Sequence, residues 1–216
     1  LSLFIVGLLS LAIANLFSAW TSMGSAQAMR ANNEIGDLFL AGAGSLAAER
    51  GVTNAALAGA QPVGAQISDR IARLREESGS ALNSALERVR AGSDFNGKDA
   101  LLRRVRGDME ALASVRKEVD KLVALPRGNR DSAIIARWVP SVTALIVSSQ
   151  DLRIAAQIVP STALARTHIL LDLKQATWVM SEYAGRERAA LGDIVSRGVS
   201  IDATVAAALA EHRGRL

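Results

Sequence analysis

The chain has 216 residues, half of them hydrophobic, 21% charged and 4% aromatic, with a formal net charge of +4 and no cysteine. That length can bury a substantial core, while the missing cysteine excludes disulfide scaffolds, thiol catalysis and thiolate metal sites. Two histidines, His168 and His212, leave little for a metal site, and sparse aromatics with four prolines argue for helices over a β-sandwich. The hydropathy is concentrated at the front. Leu1 to Trp20 has fifteen hydrophobic residues, and the first charge is Arg30. Twenty helical residues at about 1.5 Å each span roughly 30 Å, the hydrocarbon thickness of a bilayer. Residues 1–22 are therefore expected to form a transmembrane helix, with Trp20 at the interface. A secretory signal cleaved near Ala26-Gln27-Ala28 is the competing reading, and a buried soluble helix a third. Leu1 stands where a Met would open a chain, so further residues are expected upstream. Either export reading places the body outside the cytoplasm.

The body, residues 27–216, reads as long helical periods with short punctuation. Residues 27–60 are alanine-rich and end before Gln61-Pro62-Val63-Gly64. Ile67, Ile71, Leu74, Leu82, Leu86 and Val89 form an apolar stripe that stops at Ala91-Gly92-Ser93-Asp94. Leu102, Val105, Met109, Leu112, Val115, Val119 and Leu122 then step by three or four with charges between them, an amphipathic helix packed along one side of a bundle. After the break at Leu125-Pro126-Arg127-Gly128-Asn129, Asp131-Ser132 caps a helix carrying Ile135, Trp138, Val142, Leu145 and Leu152, in which Pro140 should produce a kink or a restart. Pro160-Ser161-Thr162 opens a segment to about Arg197, with Ile169, Leu173, Ala176, Met180 and Tyr183 as its expected core row. Gly198 ends it, and Ser200-Ile201-Asp202 starts a last helix. The fold class is all-α: an elongated antiparallel bundle of long helices, preceded by a transmembrane helix.

Little here supports catalysis, and the chain is not expected to be an enzyme or to need a cofactor or metal. His168 and Asp172 sit four apart on one helix face, an arrangement better explained by a surface hydrogen bond. Gly42-Ala43-Gly44 follows no strand, so it suits close helix packing better than a phosphate loop. Of the 25 basic residues only Lys98, Lys117, Lys121 and Lys174 are lysine. Arg103-Arg104-Val105-Arg106 is the densest cluster, and its place on a polar helix face speaks for solvation and against nucleic-acid binding.

Two stretches depart from this background. In Leu46-Ala47-Ala48-Glu49-Arg50-Gly51, charge interrupts a small, apolar helix. In Tyr183-Ala184-Gly185-Arg186-Glu187-Arg188-Ala189, the expected core row places Glu187 on the seam with Arg186 and Arg188 beside it. Charges at such depth need partners, either carboxylates across the helices or a bound anion held by planar, bidentate guanidinium groups.

These residues resemble a known family. The Glu-Arg-Gly of the first long helix and the Ala-Gly-Arg-Glu-Arg-Ala about 135 residues later are similar to motifs of the NIT (nitrate- and nitrite-sensing) domain of bacterial chemoreceptors, sensor kinases and some soluble regulators. The resemblance spans roughly residues 30–216. It implies an all-helical extracytoplasmic sensor of an inner-membrane receptor, binding nitrate or nitrite through Arg50, Arg186 and Arg188, relaying a helix displacement across the membrane, and forming a homodimer. Ala47 departs from the family, where a polar residue, often glutamine, commonly stands. The family's domain also runs on beyond the residues that follow the second motif, so the domain is expected to be cut short at its C-terminal end. The alternatives are a four-helix chemoreceptor sensor for another small ligand, such as an organic or amino acid, and a structural helical dimerisation module without a ligand.

Overall fold

The computed structural model describes residues 2–157, 165–197 and 200–214. They form six α-helices and no strand: α1 (Ser2–Ala58), α2 (Ala65–Ala91), α3 (Lys98–Val123), α4 (Ser132–Ala155), α5 (Ala165–Arg197) and α6 (Ala203–Gly214). A 3-10 turn at Arg127–Asn129 stands between α3 and α4. The fold class expected from periodicity is the one observed.

α1 is one continuous helix of 57 residues, roughly 85 Å long, with no break between the apolar head and the body. Its second half packs on α2 and α4, α4 packs on α3, α5 lies along α1, and α6 lies on α5. Ion pairs give the directions. Arg88 meets Glu34 and Arg75 meets Glu49, so α2 runs against α1. Arg104 meets Asp151 and Arg137 meets Glu118, so α4 runs against α3. Lys174 meets Asp37 and Glu182 meets Arg50, so α5 runs parallel to α1.

The apolar periods do what their spacing requires. Leu102, Val105, Leu112, Val115, Val119 and Leu122 of α3 are buried against Trp138, Val142, Leu145 and Leu152 of α4 and Leu82, Leu86 and Val89 of α2. The expected close approach at Gly42 is real. A Cβ there would lie 2.9 Å from Leu82 Cγ, so only glycine lets α1 sit this near α2. Gly97, at φ 78°, takes the left-handed turn that opens α3. Asp131 caps α4 by accepting the Ala133 N–H at 2.8 Å, and Asp202 caps α6 by accepting the Val205 N–H at 2.8 Å.

Two expectations need correction. Of the two outcomes expected at Pro140, a kink or a restart, the restart does not occur: α4 runs unbroken from Ser132 to Ala155 with Pro140 inside it. In α5 the expected core row faces outward. Ile169, Leu173 and Met180 are 63, 60 and 53% exposed, and the row turned to the bundle is Gln175, Trp178, Glu182, Gly185 and Ala189. Hydrophobic periodicity identifies the most apolar face of a helix. Here the face toward the bundle is small and polar because it builds a cleft. Residues 160–162 and 198 lie outside the described residues, as do the side chains of His168 and His212.

α4 is long and apolar enough to cross a membrane. It is a core helix nonetheless, carrying buried Trp138 and Arg153 and tied at both ends to α3 by the ion pairs above. On the head of α1, Ile13, Leu16, Phe17, Trp20 and Met23 are all exposed.

Candidate functional site

Glu49 and Arg50, consecutive on α1, are both buried. Unpaired charges at that depth would cost several kcal/mol each, so the helices around them supply partners. Glu49 turns to α2 and α3. Its carboxylate accepts from Arg75 Nε at 2.7 Å and from Arg116 Nε at 3.0 Å, and Arg75 closes a second fork on Asp120 at 2.8 and 2.9 Å. Burial opposes the charge on Arg75, yet its hydrogen bonds to Asp120 and Glu49 outweigh that and raise its pKa. Two guanidinium groups and two carboxylates close this network.

Arg50 turns to α4 and α5. Its Nη1 donates to Glu182 Oε1 at 2.8 Å and to Thr143 Oγ1 at 3.0 Å, and its Nη2 donates to Glu182 Oε2 at 3.1 Å. Arg186, one turn beyond Glu182 on α5, donates its Nε to the same Oε1 at 2.7 Å. Its guanidinium also lies over the Tyr183 ring, 5.0 Å from the centroid. The Trp138 indole donates to the Arg50 carbonyl at 3.2 Å, fixing α1 against α4 at this level. One carboxylate thus serves two guanidinium groups.

A cleft of about 1010 Å³ opens beside Arg50 and Arg186, walled by α1, α4, α5 and the turn before α4. Five arginines line it (Arg50, Arg104, Arg127, Arg130 and Arg186), and no Asp or Glu does among the described residues. Arg130 anchors its floor. That guanidinium donates to the carbonyls of Ala56, Leu57, Gly59, Gln61, Leu122 and Leu125 at 2.7–3.1 Å, gathering the open C-terminal ends of α1 and α3. Burial, and then the nearby charge of Arg127, lowers the pKa of Arg130. A second cleft of about 600 Å³ lies on the other side of the α1–α5 contact, lined by Arg50, Arg70, Trp178, Glu182 and Arg188 among others.

The structure brings together two of the three arginines named from sequence. Arg50 and Arg186 meet on Glu182, whereas Arg188 is exposed and belongs to the second cleft. Glu187 is not on the seam; it pairs with Arg213 of α6 at 2.6 Å. The buried carboxylate is Glu182, which the α5 register error concealed, although its position four residues before Arg186 is a readable helix pairing. Trp138 is core, and Trp178 edges the second cleft. Arg104 is not simply solvated, since it reaches the larger cleft while paired with Asp151 at 2.9 Å. No group of residues suited to hold a metal occurs among the described residues.

These features define an all-helical module with an open, arginine-rich cleft. The model of the NIT family, described as nitrate and nitrite sensing, matches residues 43–215, and the chain belongs to that family. The family is one of sensing and not of catalysis. No curated protein matches the chain, and no solved structure does.

Proposed function

We infer that the chain is the extracytoplasmic sensory part of a bacterial signal-transduction receptor that binds nitrate or nitrite at the Arg50–Arg186 pair. The observation that carries this reading is the shared carboxylate: two guanidinium groups, one of them fully buried, converge on the single Glu182 at the edge of a cleft without acidic walls. Nitrate, like a carboxylate, is planar and offers oxygens in a fork, the shape a guanidinium binds through two parallel hydrogen bonds. It therefore competes with Glu182 for the same donors. Without ligand, Glu182 holds α5 to α1. With ligand, the anion takes over Arg50 and Arg186 and frees the carboxylate, shifting α5 relative to α1 by whatever differential affinity it has for the two arrangements. Because α1 continues unbroken into the apolar head, the shift passes along it as a piston or rotation. Residues 1–22 are the membrane anchor in this reading, with the helical domain of residues 27–216 periplasmic or extracellular on the inner membrane.

The exposed row of α5 supports a homodimer. Ile169, Leu173, Ala176 and Met180 repeat at four, three and four residues, the a/d seam of a two-stranded coiled coil, and the same helix of a second copy fits it. Leu173→Lys in the full chain is expected to yield monomers by light scattering, against dimers for the parent chain.

Titration calorimetry of the full chain in detergent should show heat with millimolar nitrate or nitrite, and absence of heat with both ends the reading. Arg50→Lys keeps the charge and loses the fork, so it should weaken nitrate binding by at least about tenfold. Arg186→Ala is expected to weaken binding too, and Arg188→Ala to change it less than about twofold. A stronger loss in the Arg188 variant than in the Arg186 variant would move the site to the second cleft. An organic or amino acid that stabilises the chain where nitrate does not would favour the other sensor class.

A further inference from the structure

Three arginines are almost wholly buried, and their surroundings differ in kind. Arg50 has a carboxylate, Glu182. Arg130 has six backbone carbonyls, enough acceptors for its five N–H groups. Arg153, near the C-terminal end of α4 and 2% exposed, has neither. Its Nε donates to Gln150 Oε1 at 2.7 Å and its Nη2 to the side-chain carbonyl of Gln175 on α5, and it forms no ion pair among the described residues. Burial lowers its pKa, with no opposing carboxylate.

A second observation points the same way. Gln150 is 7% exposed, and its side-chain Nε2 is buried with no hydrogen-bond partner. Its amide orientation is set by the neighbour: Oε1 must face the Arg153 donor, which leaves Nε2 as an unused donor in the same cluster. Gln150 Nε2 is a buried donor without an acceptor, and the Arg153 guanidinium beside it is buried without a counter-charge among the described residues. The amide donor costs free energy until an acceptor arrives, and one that also brings negative charge offsets the burial of Arg153 as well. Asp151, the nearest acid in sequence, is engaged with Arg104, and Asp37, across on α1, with Lys174.

We propose that Arg153, Gln150 and Gln175 form a second anion seat, taking one small monovalent anion such as chloride or nitrate, that ties α4 to α5. The seat lies apart from the Arg50 site. Thr143, the partner of Arg50 on α4, is ten residues before Arg153, a rise of about 15 Å along the helix. An anion here neutralises Arg153 and satisfies Gln150 Nε2. It thereby fixes α5 to α4 at a level where Gln175 is otherwise the only direct polar link from Arg153 to α5 among the described residues.

The test is thermal unfolding of the full chain in detergent at constant ionic strength, with sodium gluconate replaced stepwise by sodium chloride or by sodium nitrate. Gluconate, a large polyhydroxy carboxylate, is the reference anion. A tenfold excess of the small anion over its Kd is expected to raise Tm by about 3–6 °C in a chain of this length. Gln150→Glu places a carboxylate beside Arg153, so it should raise Tm in gluconate and abolish the chloride increment. Arg153→Met should abolish the increment as well. Arg50→Lys should keep the chloride increment, which separates this seat from the proposed sensing site whether or not that site binds nitrate. An unchanged parent Tm in chloride and nitrate overturns the second seat. So does an increment that survives in Gln150→Glu, or one that disappears in Arg50→Lys. The Glu variant decides the matter even if Arg153→Met fails to fold.

Discussion

Two charge clusters flank α1 one residue apart, and they are built to opposite ends. On the α2–α3 side, Glu49 is gripped by Arg75 and Arg116, and Arg75 is balanced by Asp120. On the α4–α5 side, Arg50 and Arg186 share Glu182 and face a cleft without acids among the described residues. The first cluster balances two guanidinium groups with two carboxylates and lines neither of the two clefts described above. The second has one guanidinium more than it has carboxylates. Packing follows the same division. On the α2 side Gly42 brings backbones into contact distance of Leu82, while on the α5 side Gly44, Gly51, Gly185 and Gly192 have nothing within 4 Å of a Cβ placed on them. Small residues close one interface and open the other. The two clusters thus differ in surplus charge and in the space around them, more than in burial.

The largest effect should come from breaking the closed cluster. Glu49→Leu leaves two partly buried guanidinium groups facing an apolar side chain and should cost about 3–5 kcal/mol in chemical unfolding of the full chain. A loss under about 1 kcal/mol would mean that the cluster is not a structural pin. Glu182→Gln attacks the open cluster and should behave differently. Stability without ligand should fall by about 1–3 kcal/mol, because Arg50 and Arg186 then lack their counter-charge. Nitrate should bind about tenfold tighter once its internal competitor is gone, a gain of about 1.4 kcal/mol. Weaker nitrate binding in that variant would show that Glu182 orients the arginines and does not compete for them.

Glycine replacement probes the packing half of the comparison at smaller scale. Gly42→Ala drives a methyl into Leu82 and should cost about 1–3 kcal/mol. Gly44→Ala, two residues on, meets open space and should be neutral, or stabilising by up to about 1 kcal/mol from its better helix propensity. Equal costs for the two would mean that the α1–α5 face closes in solution. Thermal or urea unfolding of the pair of variants reads the difference directly.

What could be read in advance follows the same boundary. The stripe of α3, the cap at Asp131, the start of α6 after Asp202 and the close approach at Gly42 were legible because each is local: spacing, one side chain, or one missing Cβ decides them. Arg50 and Arg186 stood out as charge in small, apolar surroundings. Glu182 did not, because the apolar face of α5 is not its inner face and a period of 3.6 residues cannot tell a core from a surface awaiting a partner. Arg130 and Arg153 were beyond reach for another reason. Their partners are carbonyls and amides brought in from other segments, and no pattern in the sequence around either arginine announces those acceptors.

The smallest effect expected lies at the far edge of the closed side. Glu34 is exposed, and Arg88 donates to it at 2.8 Å, with Arg30 at 3.4 Å one turn before it. These hydrogen bonds and charges hold its pKa below the ordinary 4.5. A carboxylate with a lowered folded-state pKa contributes stability that is fully present above its unfolded value and is lost as pH falls through the folded one. Glu34→Gln should therefore lower Tm slightly at neutral pH, and the gap to the parent should close as the pH drops below the usual carboxylate range. High salt should shrink the gap as well, since an exposed pair is screened. A gap that persists at low pH would assign the effect to packing of the side chain against α2, and the edge of the closed cluster would then owe its order to contact instead of charge.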